Sequence, residues 1–225
     1  MGTEGVSTPH RKAGAYVQEQ ADRLRLRALL IVLAALAIPV VAFLGFHGRG
    51  LVLAGIALLA LLVILRAAPA IELRADRYAR GAAGERKVGA ILEALGPGWH
   101  VLHDVALGRG NIDHVLVGPA GTFTVETKAN RGRITVDRLD EAMLRQAYAE
   151  RKLLEKVSGL KVEALLVFSE AWLIGSLPAR RRGVVVLPAR MLNRHLTRRR
   201  PTLGDAEVSE IATRLRLALE VDAAA

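Results

Sequence analysis

The 225 residues carry 32 Lys and Arg against 22 Asp and Glu, a formal net charge of +10. That surplus favours phosphate-bearing partners, whether nucleic acid or anionic lipid. The absence of cysteine excludes disulfides, thiolate nucleophiles and cysteine zinc fingers, and fits a reducing compartment.

In chain order, residues 1–27 read as a polar cytoplasmic tail, with the first ~20 too polar to build a core. Residues 28–66 form the next segment, and within it Ala28 to Leu65 hold a single charged side chain, Arg49. The run from Ala28 to Phe46 is uncharged and, at ~1.5 Å per residue, spans roughly the thickness of a bilayer. A second run, Gly50 to Leu65, follows after the short connector His47-Gly48-Arg49. The pattern predicts a transmembrane helical hairpin. A cleaved signal peptide fits less well, because the apolar core is too long and a second one follows. A soluble buried hairpin would need polar residues on one face. Arg23, Arg25, Arg27, Arg66, Arg74, Arg77 and Arg80 flank the pair. The positive-inside rule then puts both termini in the cytoplasm of a multi-pass cell-membrane protein with the lipid bilayer as a partner. Gly55 and Ala60 offer small contacts through which the hairpin could form a homo-oligomer.

From 75 to 225 the pattern is that of one α/β domain. A helix is expected over 75–95, with the stripe Val88, Ile91, Leu92, Leu95, ended by Gly96-Pro97-Gly98. Strands are expected at 99–107, 112–117 and 122–128, a long helix over 136–157, and strands at 162–168 and 183–187. Helices at 189–196 and 205–219 close the chain.

Gly118-Pro119-Ala120-Gly121 suits a tight turn between the second and third strands. If Gly118 pairs with Gly121, Asp113 falls opposite Glu126. Two carboxylates so placed repel unless a cation lies between them. The period of two puts Lys128 on the face of Glu126, with Phe123 and Val125 turned toward the core. Oxygen ligands of this kind suit Mg²⁺ or Mn²⁺, and the set suits phosphodiester hydrolysis, with Lys128 assisting the chemistry. Glu85 extends the stripe of the first domain helix. Gln146 and Glu150 lie on the stripe Leu139, Met143, Leu153, Val157. Polar groups on such stripes need partners.

The alternatives stay open on this evidence. Glu-x-Lys recurs by chance in charged sequences, Glu85 could simply favour a helix N-terminus, and Gln146 could be a satisfied core amide. His100, His103 and His114 read as packing or surface residues, since their spacing suits no metal. Gly108-Arg109-Gly110 reads as a turn before it reads as a phosphate cradle. Arg180, Arg181, Arg182, Arg198, Arg199 and Arg200 lie in a stretch without Asp or Glu. They form either a solvated surface or a nucleic-acid backbone contact that salt would weaken.

The strings GERKVGAILEAL (84–95) and NIDHVLVGPAGTFTVETKAN (111–130) resemble the nuclease-related domain family, NERD. That family is similar to the PD-(D/E)xK nucleases, whose restriction-endonuclease-like fold has an αβββαβ core. The resemblance covers roughly 81–168. It implies that Asp113, Glu126 and Glu85 bind metal, and that Lys128, with Glu126, Asp113, Glu85 and Gln146, forms the catalytic set. The helix motif around Gln146 is only partly present. The resulting expectation is a membrane-anchored, metal-dependent nuclease acting on DNA before RNA. Its rivals are a catalytically silent, membrane-tethered nucleic-acid-binding module and a scaffold.

Overall fold

The computed structural model describes residues 13, 15–45, 50–107 and 110–223. The chain divides into two compact units, a first of residues 16–80 and a second of 81–225 together with 1–15.

The first unit is helical. Helix α1 runs Ala15–Gly45 and α2 runs Gly50–Glu93, the latter crossing from the first unit into the second at residues 80–81. The start of α1 falls inside the stretch read above as tail. The connector 47–49 lies outside the described residues, as do residues 1–12. Among the described residues, no helix is long and apolar enough to cross a membrane. The expected transmembrane hairpin and cell-membrane location are corrected accordingly. Leu29, Leu30, Ile31, Leu58 and Leu59 of this unit are exposed.

The second unit is a mixed α/β structure with a central mixed sheet. Strands β1 His100–Leu107, β2 Gly110–Gly118 and β3 Gly121–Lys128 form an antiparallel meander. A short strand β4 (Arg133–Thr135) and a 3-10 turn (Val136–Arg138) lead to helix α3, Glu141–Ser158. The helix expected from Val136 starts later because Asp140 caps it, its carboxylate accepting from Ala142 N at 2.8 Å. Gly159, at φ 66°, ends it.

Strand β5 (Val162–Phe168) then pairs in parallel with β3. Its run of apolar residues is what a strand covered on both faces requires. After the short strands β6 (Trp172–Ile174) and β7 (Ala179–Arg181) comes β8 (Val184–Pro188), parallel to β5. Helices α4 (Ala189–Thr197) and α5 (Asp205–Ala223) complete the unit. The main sheet has the order β1-β2-β3-β5-β8-β7, and β4 pairs with β6 in a separate ribbon. The α2-β1-β2-β3-α3-β5 succession is compatible with a nuclease-like core. The sequence reading omitted β4, β6 and β7, each of only three residues.

Alternation along the strands sorts the core into two faces. Phe123, Val125, Leu165 and Val167 pack with Val88 and Leu92 of α2 and Leu192 of α4. Ala164, Leu166 and Phe168 pack on the other face with Leu144 and Ala147 of α3. Each such side chain, fully buried, contributes about 1.5–3 kcal/mol. The faces matter because Glu126 and Lys128 share the parity that points toward α3.

Candidate active site

Strands β3, β5 and β8 end side by side, with Lys128, Phe168 and Pro188 in register. The polar residues singled out above collect at this edge. The turn at 118–121 sets the pairing: Gly118 lies opposite Gly121 and His114 opposite Val125. Ladder pairing stops there, one residue short of Asp113 and Glu126. Beyond it the Asp113 carboxylate takes over, its Oδ2 accepting from Thr127 N at 2.7 Å. A side chain thus replaces the neighbouring strand as partner of β3 and is fixed beside Glu126.

Glu126 is buried, and its Oε1 meets Lys128 Nζ at 2.6 Å. Lys128 also donates to Gln146 Oε1 at 2.9 Å, and Gln146 Nε2 donates to Glu150 Oε1 at 3.0 Å. The stripe expected to bury Gln146 is rotated. Leu144, Ala147 and Leu154 are the fully covered residues of α3, while Gln146 lies at the exposed margin. Its partner there is nevertheless Lys128.

Glu85 reaches the edge from α2 on the opposite face. Gly84 makes the approach possible, since a Cβ at that position would stand 2.6 Å from Ser169 Oγ and 3.0 Å from the Ala129 Cβ. The glycine preceding Glu85 therefore permits the close approach of helix to strand ends.

The electrostatics record how crowded the edge is. Burial first, then the charges of Glu126 and Asp104, push Glu85 up to about 7. Burial, Glu126 and Glu85 hold Asp113 well above the ordinary aspartate range, against the lowering effect of the Thr127 N–H. Glu150 rises to about 9 through burial and the nearness of Glu126. Desolvation and like charge thus act together on groups from three separate elements, α2, β2 and α3.

Glu150 and Asp104 were not assigned to the site from sequence. Glu150 carried a signal, four residues after Gln146 on the same helix. Asp104 carried none; it sits at a left-handed φ of 51° and accepts from Asn111 Nδ2 at 2.6 Å. That contact gives Asn111 a structural task. His103 and His114 face each other, with Nδ1 atoms 2.8 Å apart, and His103 Nε2 is 3.1 Å from Glu93 Oε1. Residues 108 and 109 lie outside the described residues, so the phosphate-cradle reading of that loop does too.

Among the described residues, no three Asp, Glu or His side chains stand as they are around a point that could hold a metal. Lys128 occupies one oxygen of Glu126, and Thr127 N occupies one of Asp113. The chemistry of the donors nonetheless fits a hard divalent cation. Glu126 Oε2 and Glu150 Oε2 are buried, and the two carboxyl groups are hydrogen-bonded to each other once Glu150 keeps its proton; carboxylate oxygens of this kind are ligands for Mg²⁺ or Mn²⁺.

The arginine stretch looks different in three dimensions from its appearance in sequence. Arg180 and Arg199 both bind Glu163, Arg181 binds Asp137, and Arg182 binds Glu141. Three acidic residues from other elements thus pair with four of the six arginines read as one basic patch, leaving Arg198 and Arg200 exposed. A cavity of about 600 Å³ lies at the other end of the sheet, lined by Thr122, Val162, Arg151 and Glu163 among others. It touches none of the carboxylate cluster, and the chemistry, not the cavity, marks the candidate site.

Residues 80–169 match the family described as NERD, the nuclease-related domain. That interval contains Glu85, Asp113, Glu126, Lys128, Gln146 and Glu150, and the match supports a nuclease-related function. No curated protein matches the chain. Among solved structures, that of Pyrococcus furiosus SfsA in complex with Ca2+ is similar at 17% identity, with a TM-score of 0.26. The alignment covers 62% of this chain and 52% of that one, so the chain spans about half the length of that protein.

Proposed function

We propose that the second unit is a divalent-metal-dependent nuclease that hydrolyses phosphodiester bonds of nucleic acid, DNA before RNA. The observation that carries this reading is the convergence of Glu85, Asp113 and Glu126 on one sheet edge with Lys128 against Glu126.

Asp113, Glu126 and Glu85 would hold Mg²⁺ or Mn²⁺. Bound there, the ion supplies polarisation of the phosphoryl oxygen and neutralises the charge of the scissile group. Its charge would favour the ionised carboxylates and offset the repulsion that, after burial, raises Glu85 and Asp113.

Lys128 then no longer carries alone the neutralisation of Glu126. Its ammonium is free to orient an attacking water and to stabilise negative charge developing on the phosphate. Gln146 limits where that ammonium can go, and Glu150 fixes the rotamer of Gln146 through the bond to its amide nitrogen. The Thr127 N–H holds Asp113 in place while charge moves around it.

The test uses the full chain with single- and double-stranded DNA and RNA, with and without Mg²⁺ or Mn²⁺. Lys128→Ala is expected to retain its circular-dichroism spectrum and lose about 10²–10³-fold in cleavage rate. Cleavage equal to wild type would remove Lys128 from the mechanism, and turnover unaffected by chelator would sink the metal-dependent reading.

A second reading is a catalytically silent nucleic-acid-binding module. It is favoured by the Lys128–Glu126 ion pair, in which the protein's own cation neutralises the carboxylate. Binding without turnover at any divalent-ion concentration would select it.

A further inference from the structure

The separate β4–β6 ribbon carries an aromatic feature that the hydrolytic constellation does not use. Trp172 is 60% exposed, yet its neighbours Ala171 and Leu173 are 4% and 3% exposed. Its backbone is fixed from both sides: Trp172 N donates to Gly132 O at 2.8 Å, and the residue pairs with Arg133 across β4 and β6. A large ring is therefore held out to solvent by a rigid, anchored ribbon. Leaving so much apolar ring in water forfeits the burial that tryptophan usually gains, so the exposure needs an explanation.

The surroundings suggest the occupant. The guanidinium of Arg190, in the first turn of α4, lies 4.7 Å from the ring centroid. Arg133 and Arg131 are exposed alongside. Arg131 is bound to Glu170 at 2.6 Å; Arg133 and Arg190 are two further cations beside the ring. A flat π surface flanked by cations matches an unpaired base with its phosphates, since any base can stack and the arginines track the backbone.

Position links this feature to the carboxylates. Trp172 is four residues beyond Phe168, hence at most about 14 Å from it along the chain, and Arg190 is two residues beyond Pro188. Phe168 and Pro188 lie in register with Lys128 on adjoining strands, each about 4.8 Å from the next. Trp172 therefore lies within about 19 Å of Lys128, close enough for one bound strand to reach both.

We infer that Trp172 and Arg190 form a stacking platform for an unpaired nucleobase, and that the domain accordingly prefers single-stranded stretches or frayed ends to intact duplex. This inference rests on the nuclease reading for its substrate class and adds the strand state. In a duplex the bases are stacked on one another and their faces are closed to the ring.

The experiment measures binding of the full chain to short labelled oligonucleotides without divalent ions, so that no cleavage intervenes. Fluorescence anisotropy is read for single-stranded DNA, single-stranded RNA and the corresponding duplexes. Trp172→Ala is expected to weaken single-strand binding about tenfold and duplex binding little, with Trp172→Phe recovering most of the loss. Arg190→Ala should weaken single-strand binding severalfold and lower its salt dependence.

Unchanged single-strand affinity in Trp172→Ala overturns the platform, as does an equal loss for duplex and single strand. Failure of the wild type to bind any oligonucleotide overturns it too. Trp172-dependent binding by a chain that never cleaves would leave the platform standing and remove the nuclease. Metal-dependent cleavage with Trp172→Ala binding like wild type would do the reverse. Comparing the DNA and RNA arms assigns the sugar.

Discussion

Two glutamates on adjoining strands of one sheet show opposite electrostatic solutions. Glu163, near the start of β5, is half-buried, and burial pushes its carboxyl up. Arg199 and Arg180 outweigh that and hold it below the ordinary range. Glu126, near the end of β3, has one cation, Lys128, and three carboxylic neighbours whose pKa values it helps to raise. One end of the sheet is neutralised by its own arginines; the other is left short of positive charge. A stable protein gains nothing from gathering buried carboxylates, so the deficit accords with the proposal above, in which an external cation would complete the site. Where stability and local preference disagree, function is the usual reason.

Several substitutions sharpen or break this contrast. The largest effect should come from Glu126→Gln, which removes the charge common to the cluster. Metal-dependent cleavage should fall by at least about 10²-fold, while the metal-free protein gains on the order of 1–2 kcal/mol in stability near neutral pH. Thermal melting with and without Mg²⁺ checks both halves. A fall in Tm would show that the Lys128–Glu126 pair outweighs the repulsion.

Next in size is a pH effect on the metal-free protein. Glu85 rises from 4.5 to about 7 in the folded chain. In that window the folded state keeps a proton that the unfolded state has released, so stability falls as pH rises. The contribution is fully present below about 4.5 and lost by about 7. Denaturant unfolding should therefore show lower stability near neutrality than around pH 5, with Mg²⁺ restoring much of it at the higher pH. A profile flat across this range would contradict the charge-crowded picture.

Gln146→Ala should lower turnover about tenfold through a less well-placed Lys128, with substrate affinity nearly unchanged. A rise in KM with constant kcat would move Gln146 from the ammonium to the substrate. The smallest effect belongs to the neutralised end. Glu163→Gln frees Arg180 and Arg199, and nucleic-acid binding should tighten a fewfold with a steeper dependence of log K on log salt. No change in that slope would mean the two arginines do not face the nucleic acid.

How much of this was legible in sequence depended on range. The four residues 118–121 are a local signal, and they give the Gly118–Gly121 pairing and the parity of Glu126 and Lys128 correctly. The strand 162–168 is equally plain because, after Glu163, its apolar run Ala164 to Phe168 is unbroken. The neutralised arginines were not legible, since Glu163, Asp137 and Glu141 come from separate elements and no spacing reveals them. Asp104 was hidden for the same reason, and its left-handed backbone has no glycine to announce it. The membrane reading failed differently: hydropathy registered the apolar runs 28–46 and 50–65, but among the described residues no helix meets the length and apolarity of a span. Trp172 passed unnoticed because a three-residue strand has no periodicity to read.

The four-residue turn between β2 and β3 carries a consequence for how this chain can vary. Inserting or deleting one residue within 118–121 would shift one strand's alternation relative to the other. Asp113 and Glu126 would then point to opposite sides, and Phe123 or Leu116 would leave the core. A substitution at Pro119 leaves that alternation intact, while Ala120 packs against the core and is limited in size. In descendants of this sequence, the number of residues between the two glycines is thus held more tightly than the identity of Pro119.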